Sequence, residues 1–335
     1  MEIEYKKVED NNINRNILDH LFSLNSIKPI YQHSKYIENN SENSFLFVLK
    51  INQSIKSYCF VNEYSLTKLK FIKYCKIRFG SIGDIEYASI LDHEIVKYYA
   101  SKKTTSIFYI PFENDIIETI NKTKFPIILA KRETGSLIIN LQQDIENVEK
   151  NYSTNLKRNL KKSKKLDLVI KELNTGDEFI KLNEIYNKLF EHRKIKISNS
   201  NFTLDTIKLV IQQNLGFVLG CFENNELIGG SVLLENNNRI EYFIGASNPD
   251  FRHLPILHAV FHHAIKHSKK LNYKYFDLGG IVFTKENEQL SNITNFKFQF
   301  SKDVIIYKKD FELILSKKRK WIYNLYLKLS KKKNE

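Results

Sequence analysis

Ile240-Glu241-Tyr242-Phe243-Ile244-Gly245-Ala246 has the composition of a strand, and the sixty residues from its start decide the fold. A loop carries Arg252 and Pro255. Leu257 to Leu271 has helical spacing, and Tyr273 to Leu278 reads as a second strand running into Gly279-Gly280. A strand, a helix packed on it and a neighbouring strand form an α/β unit, which opens a crevice at its strand ends. Close behind in sequence comes Asn295-Phe296-Lys297-Phe298-Gln299-Phe300, a single lysine among phenylalanines. The chemistry is expected there.

Working outward, the 335 residues suffice for two domains, each with its own core. Hydrophobic residues make up 42% and aromatics 13%, which excludes a disordered chain. Glycine (11) and proline (5) are too few for collagen or for a sandwich of many tight turns. The net charge of +14 suits an anionic partner: nucleic acid, a phosphorylated substrate or a lipid surface. The same excess also fits a coding bias toward Lys, Asn and Ile. Cys59, Cys75 and Cys221 form neither a disulfide framework nor a metal spacing, so a reducing compartment is expected. The N-terminus lacks an apolar signal core. The longest apolar runs, such as Phe125 to Ala130, fall far below the ~20 residues that span a bilayer. The expectation is a cytoplasmic protein, with peripheral contact at the inner face of the membrane left open.

Residues 1–44 are polar and read as partly helical. Strands come next at Phe45 to Ile51, Ile55 to Phe60 and Leu69 to Phe79. A helix is expected over His93 to Lys103, and strands at Ser106 to Ile110 and Leu137 to Leu141. Asn155 to Lys165 carries Leu156 and Leu160 on one face and bases elsewhere, a narrow stripe that suits a connector. The second half again alternates strands and helices, with a strand at Val169 to Glu172, a helix at Gly176 to His192, and a hairpin across Asn224-Asn225. Ser316 to Glu335 reads as a basic amphipathic helix. The expected domains are 1–148, a connecting helix at 149–166, a catalytic domain at 167–315 and the tail at 316–335.

In order along the chain, several motifs resemble the FemABX-like peptidyltransferases, relatives of the GNAT acyltransferases. They are Arg132-Glu133-Thr134 with the strand Leu137 to Leu141, the basic helix Asn155 to Lys165, and Tyr242-Phe243-Ile244-Gly245-Ala246-Ser247. Tyr275-Phe276-Asp277-Leu278-Gly279-Gly280 and Phe296-Lys297-Phe298-Gln299-Phe300 complete the set. The resemblance implies an α/β fold of two tandem GNAT-like domains, each a mixed sheet flanked by helices. It also implies transfer of an aminoacyl group from aminoacyl-tRNA to an amine of a peptidoglycan or other cell-envelope precursor, whether free or lipid-linked, with no bound cofactor. The family's catalytic pair falls on Phe296 and Lys297, its substrate-binding arginine on Arg193 and its acceptor-contacting tyrosine on Tyr242. A lysine the family uses for precursor phosphates falls near Asn39, which argues against a nucleotide-linked muropeptide.

The chemistry asks for few groups. An amine attacks an ester already activated, and a fixed cation in a dry site can stabilise the resulting oxyanion by ~3 kcal/mol. Lys297 fits that task; the rival reading is an edge strand with Phe296, Phe298 and Phe300 inward and Lys297 in solvent. GNAT enzymes that use acyl-CoA hold its pyrophosphate on a glycine-bearing turn at a helix start. The corresponding stretch is Arg252-His253-Leu254-Pro255-Ile256-Leu257, where proline has no N–H to give. Arg252 either meets a phosphate or lies on the surface. Acyl-CoA-dependent N-acylation of an amino sugar in a surface polysaccharide is the alternative, and a basic nucleic-acid-binding protein a third. Asp277 either orients a substrate amine or a neighbouring cation, or caps the next turn. His258, His262, His263 and His267 have helical pair spacing but no evident third ligand, so no metal is expected. The lysines of Asn155 to Lys165 either contact tRNA phosphates or form a solvated face. The basic tail with Trp321 either docks on an anionic membrane or packs on its domain with a frayed end.

Overall fold

A computed structural model describes residues 2–7, 15–25, 29–40, 43–66, 69–110, 125–129, 134–193, 203–282, 288–306 and 310–331. They form two compact units, one from residues 1–133 with 307–335, the other from 134–306. Arg132 and Glu133 of the family-like strand, and residues 332–335, lie outside the described residues.

The first unit contains strands β1 (Glu2–Lys7), β2 (Ser44–Ile51), β3 (Ser54–Ser65), β4 (Lys73–Arg78), β5 (Ile82–Gly83), β6 (Ser106–Ile110) and β7 (Ile127–Leu129). Its helices are α1 (Arg15–Leu24), α2 (Ser34–Asn40) and α3 (Ile85–Ser101). Asn52 and Gln53 take φ of 50° and 66°, the left-handed pair that turns β2 into β3. β4 and β6 are parallel, and α3 makes the crossover. Leu91, Ile95, Val96 and Tyr99 of α3 recur at helical spacing and bury against Phe47, Cys59, Val61, Ile77 and Ile107 of the sheet.

The second unit runs β8 (Thr134–Asn140), α4 (Ile145–Lys150), α5 (Thr154–Lys165), β9 (Val169–Glu172), α6 (Gly176–His192) and α7 (Leu204–Gln212). It continues with β10 (Gly216–Glu223), β11 (Glu226–Asn236), β12 (Arg239–Ser247), α8 (Ile256–Lys270), β13 (Tyr275–Val282), α9 (Glu288–Lys297) and β14 (Val304–Ile306). The sheet order is β14-β8-β13-β12-β11-β10-β9. All neighbours are antiparallel except β12 and β13, which α8 joins in parallel. α6 starts with a capping box, Thr175 and Glu178 bonding reciprocally to each other's backbone N–H. Leu219, Leu233, Ile240, Phe261, Ile265, Phe276 and Phe300 sit in the core.

Three expectations about organisation are corrected. The strand near 137 belongs to the second unit, because β8 pairs with β13 and β14. α5 is no connector: Leu156 is fully buried in the second unit's core, and Ser163 on the same helix is nearly so. The second unit also ends before 315. Strand β15 (Phe311–Ile314) inserts between β6 and β7 of the first sheet, and helix α10 (Lys317–Lys331) belongs to that unit as well. The chain therefore leaves the first unit and returns to complete it. The helix expected from His93 begins earlier, at Ile85.

Candidate active site

β12 and β13 pair only from Arg239↔Tyr275 to Glu241↔Asp277. Beyond that step the two strands no longer bond to each other. β12 shifts register against β11 at Phe243, and β13 shifts against β8 between Asp277 and Gly280, where Gly279 takes a φ of 78°. The crevice expected from sequence is this gap between parallel strands.

Lys297 closes the inner end of the gap. Thr294 and Lys297 are the buried positions of the last turn of α9, three residues apart on one face, so the lysine points inward at the helix end. It is a helical residue, so the edge-strand reading does not hold. Only 5% of Lys297 is exposed, and its Nζ donates to the Gly280 carbonyl at 2.8 Å. The ammonium lies 5.6 Å from the centre of the Tyr242 ring. Burial pulls its pKa down to about 8, against the opposing pull of Asp277 and then Glu241. Phe296 packs edge-on to Phe261 at 5.3 Å and against His258 at 4.9 Å.

A cavity of about 570 Å³ opens onto this lysine. Tyr242, Gly245 and Ser247 of β12, Phe261 of α8, and Phe296 with Lys297 line it, and Arg193 stands at its rim. Arg193 is the exposed residue that ends α6. Tyr242 folds back along its own strand, and the Gly245 N–H donates to its hydroxyl. A Cβ at 245 would lie 2.9 Å from that hydroxyl and 3.0 Å from the Gly230 carbonyl, so only glycine leaves the tyrosine its place. Burial raises the phenol well above its ordinary pKa, with Arg193 pulling the other way, so Tyr242 is neutral.

Four of the six expected residues thus share one cavity: Arg193, Tyr242, Phe296 and Lys297. Asp277 does not line it. It is 1% exposed and accepts from Ser136 Oγ, from the Gly279 N–H at 2.8 Å and from Arg239 at 3.2 Å. Of its expected roles the structure shows two, the cap on the following turn through the Gly279 N–H and the charge beside a neighbouring cation, Lys297, and it shows no exposure to a substrate amine. Arg252 is exposed at the end of the 3-10 turn Pro249–Phe251 and is not among the lining residues either.

Sequence reasoning missed Glu241, Arg239 and Ser136. Burial beside Asp277 pushes the Glu241 carboxyl up to about 7, with Arg239, Asn236 and Lys297 opposing. The available signal was Arg239-x-Glu241, two charges on one face of a central strand, in register with Asp277. Charges so placed must be paired. The histidines of α8 have packing roles: His258 lies against Phe296 and Gln299, and His267 pairs with Glu172 at 2.8 Å.

Residues 150–289 match the family described as Acetyltransferase (GNAT) domain. No curated protein matches the chain. The crystal structure of FemX superposes with a TM-score of 0.67 at 11% identity, covering 97% of this chain and 99% of that one. The C-terminal domain of a putative lysylphosphatidylglycerol synthetase from Agrobacterium fabrum superposes at 0.66 and 10% identity, covering 90% and 92%. L-PGS from Bacillus licheniformis does so at 0.63 and 8%, covering 93% and 94%. Residues 150–289 thus carry a GNAT acyltransferase domain, the fold of the chain is that of FemX, and the protein is an acyltransferase.

Proposed function

We propose that the chain transfers an aminoacyl group from aminoacyl-tRNA to an amine of a cell-envelope component. The observation that carries this reading is Lys297, a cation held dry at the wall of a cavity that also presents Tyr242 and Arg193. The acceptor amine attacks the ester carbonyl and the tetrahedral oxyanion develops. The Lys297 ammonium stabilises it before the tRNA ribose oxygen departs with a proton. Such a donor in a low-dielectric site is worth ~3 kcal/mol, about two orders of magnitude in rate. Tyr242 donates its phenolic proton to the substrate or receives a bond from the attacking amine, and Arg193 offers a charged fork to a carboxylate or phosphate.

The likeness to FemX and to two lysylphosphatidylglycerol synthetase structures supports an aminoacyl donor. So does the turn before α8. Leu254 and Ile256 are buried there, and Pro255, the cap residue, has no N–H to offer a pyrophosphate. The match to an acetyltransferase family favours a second reading, in which the donor is acyl-CoA and the acceptor an amino sugar of a surface polysaccharide. Thermal shift separates the two. Aminoacyl-tRNA should stabilise the wild-type protein and CoA should not, and stabilisation by CoA alone would replace the first reading with the second. Lys297→Met should then cut single-turnover transfer by about a hundredfold.

A further inference from the structure

Helix α10 has two faces of different kinds. Arg319, Lys320, Ile322, Tyr323 and Tyr326 are partly buried within the first unit. Lys320 there pairs with Glu312 and lies over the rings of Phe108 and Tyr323. On the other side Trp321, Leu325 and Leu329 recur at i, i+4 and i+8 and are 65%, 43% and 58% exposed. Lys317, Lys318 and Lys328 project from the same outward face, all exposed. An outward stripe of one tryptophan and two leucines is not a core left open, because the helix already spends a different face on packing. No helix among the described residues is long and apolar enough to cross a membrane.

We propose that this face docks on an anionic lipid bilayer, with Trp321, Leu325 and Leu329 seated at the level of the headgroups and the lysines against lipid phosphates. Charge selects the occupant. Lysines beside the stripe repel a second copy of a chain carrying +14, and they complement an anionic surface. Tryptophan at an interface and basic residues around an apolar stripe are what a helix lying in the plane of a bilayer uses. The inference concerns a surface of the first unit and does not rest on the donor or acceptor assigned to the cavity.

Trp321 is the only tryptophan in the chain and so reports its own docking. The full-length protein is titrated with vesicles of phosphatidylglycerol in phosphatidylcholine, and separately of phosphatidylcholine alone. The expected result is a blue shift of the tryptophan emission and co-sedimentation with the anionic vesicles only, both weakened by salt. Leu325→Glu with Leu329→Glu should abolish both, and each of Lys317→Gln, Lys318→Gln and Lys328→Gln should weaken binding about fivefold. These side chains face solvent, so the melting temperature of each variant should match the parent. No emission change on anionic vesicles would overturn the proposal. So would equal binding to neutral vesicles, or burial of Trp321 by self-association without lipid.

Discussion

Lys297 is the group whose removal or titration says most. Burial takes its ammonium from 10.5 to about 8. At about 1.4 kcal/mol per pH unit, the folded protein favours the neutral amine by about 3 kcal/mol relative to an unfolded chain. The side chain is almost wholly enclosed, so solvent screening removes little of this. Three consequences have fixed signs. At pH 7 about nine in ten molecules carry the charge, and half do near pH 8. Transfer that depends on the ammonium therefore declines as pH rises through about 8, roughly tenfold per unit above it. Stability moves the other way. Below pH 8 both folded and unfolded forms hold the proton. Between about 8 and 10.5 only the unfolded chain does, so this residue's contribution rises by about 3 kcal/mol across that window and then levels. The assay needs no substrate. In protein labelled with 13C at lysine Cε, one resonance should titrate near pH 8 and be missing from Lys297→Arg. That variant should keep its charge through the whole range, and in an activity assay it should lose the alkaline decline while turning over more slowly. If every lysine of the folded wild type titrates near its ordinary value, the dry-cation account of this site fails.

Gly245→Ala should push the Tyr242 ring aside, since the new methyl would meet its hydroxyl at 2.9 Å; transfer should fall at least tenfold, read against an unchanged circular dichroism spectrum. Asp277→Asn removes the strongest group holding the charge on Lys297, so the lysine's NMR midpoint should move below about 8. The same change breaks the ion pair with Arg239, and the second unit should weaken measurably in urea. Leu156→Ala should cost about 2–5 kcal/mol in denaturant melts because that side chain is fully buried in the second core. A loss below about 0.5 kcal/mol would restore α5 to the status of a connector.

Where local chemistry decides, the sequence was readable to the residue. The helix Gly176–His192 announces itself by Thr175 and Glu178 at its start and by five apolar positions at helical spacing. The strand Val169–Glu172 and the hairpin through Asn224-Asn225 are equally local, the two asparagines sitting at φ of 48° and 65°. Phe296 to Phe300 shows the limit of periodicity. Its alternation has a strand's period, yet the helix runs through Lys297, and Phe298 to Phe300 form the turn that follows it. The α5 helix misled for a different reason. Its apolar stripe is narrow, but two leucines suffice when the partner surface is a deep core. Phe311-Glu312-Leu313-Ile314 carries no mark of its destination, because pairing with β6 and β7 joins residues about two hundred positions apart in sequence. In the cavity, Tyr242, Phe296, Lys297 and Arg193 were legible through the order of motifs. The ion network behind them was not, since Ser136 and Asp277 meet only when β8 and β13 pair.

The late return of β15 bears on how the protein is made. A ribosome delivers residues 134–306 as an unbroken run, so the second unit has all of its strands before synthesis ends. The first unit does not. Residues 1–133 emerge before the second unit, but the strand between β6 and β7 is translated after it, and until then β6 presents an unpaired edge. The usual order, N-terminal domain first, is therefore reversed for completion. A stop codon shortly after residue 306 would leave the cavity-bearing unit complete and deprive the other of β15, and a nascent chain stalled there should be a substrate for chaperones.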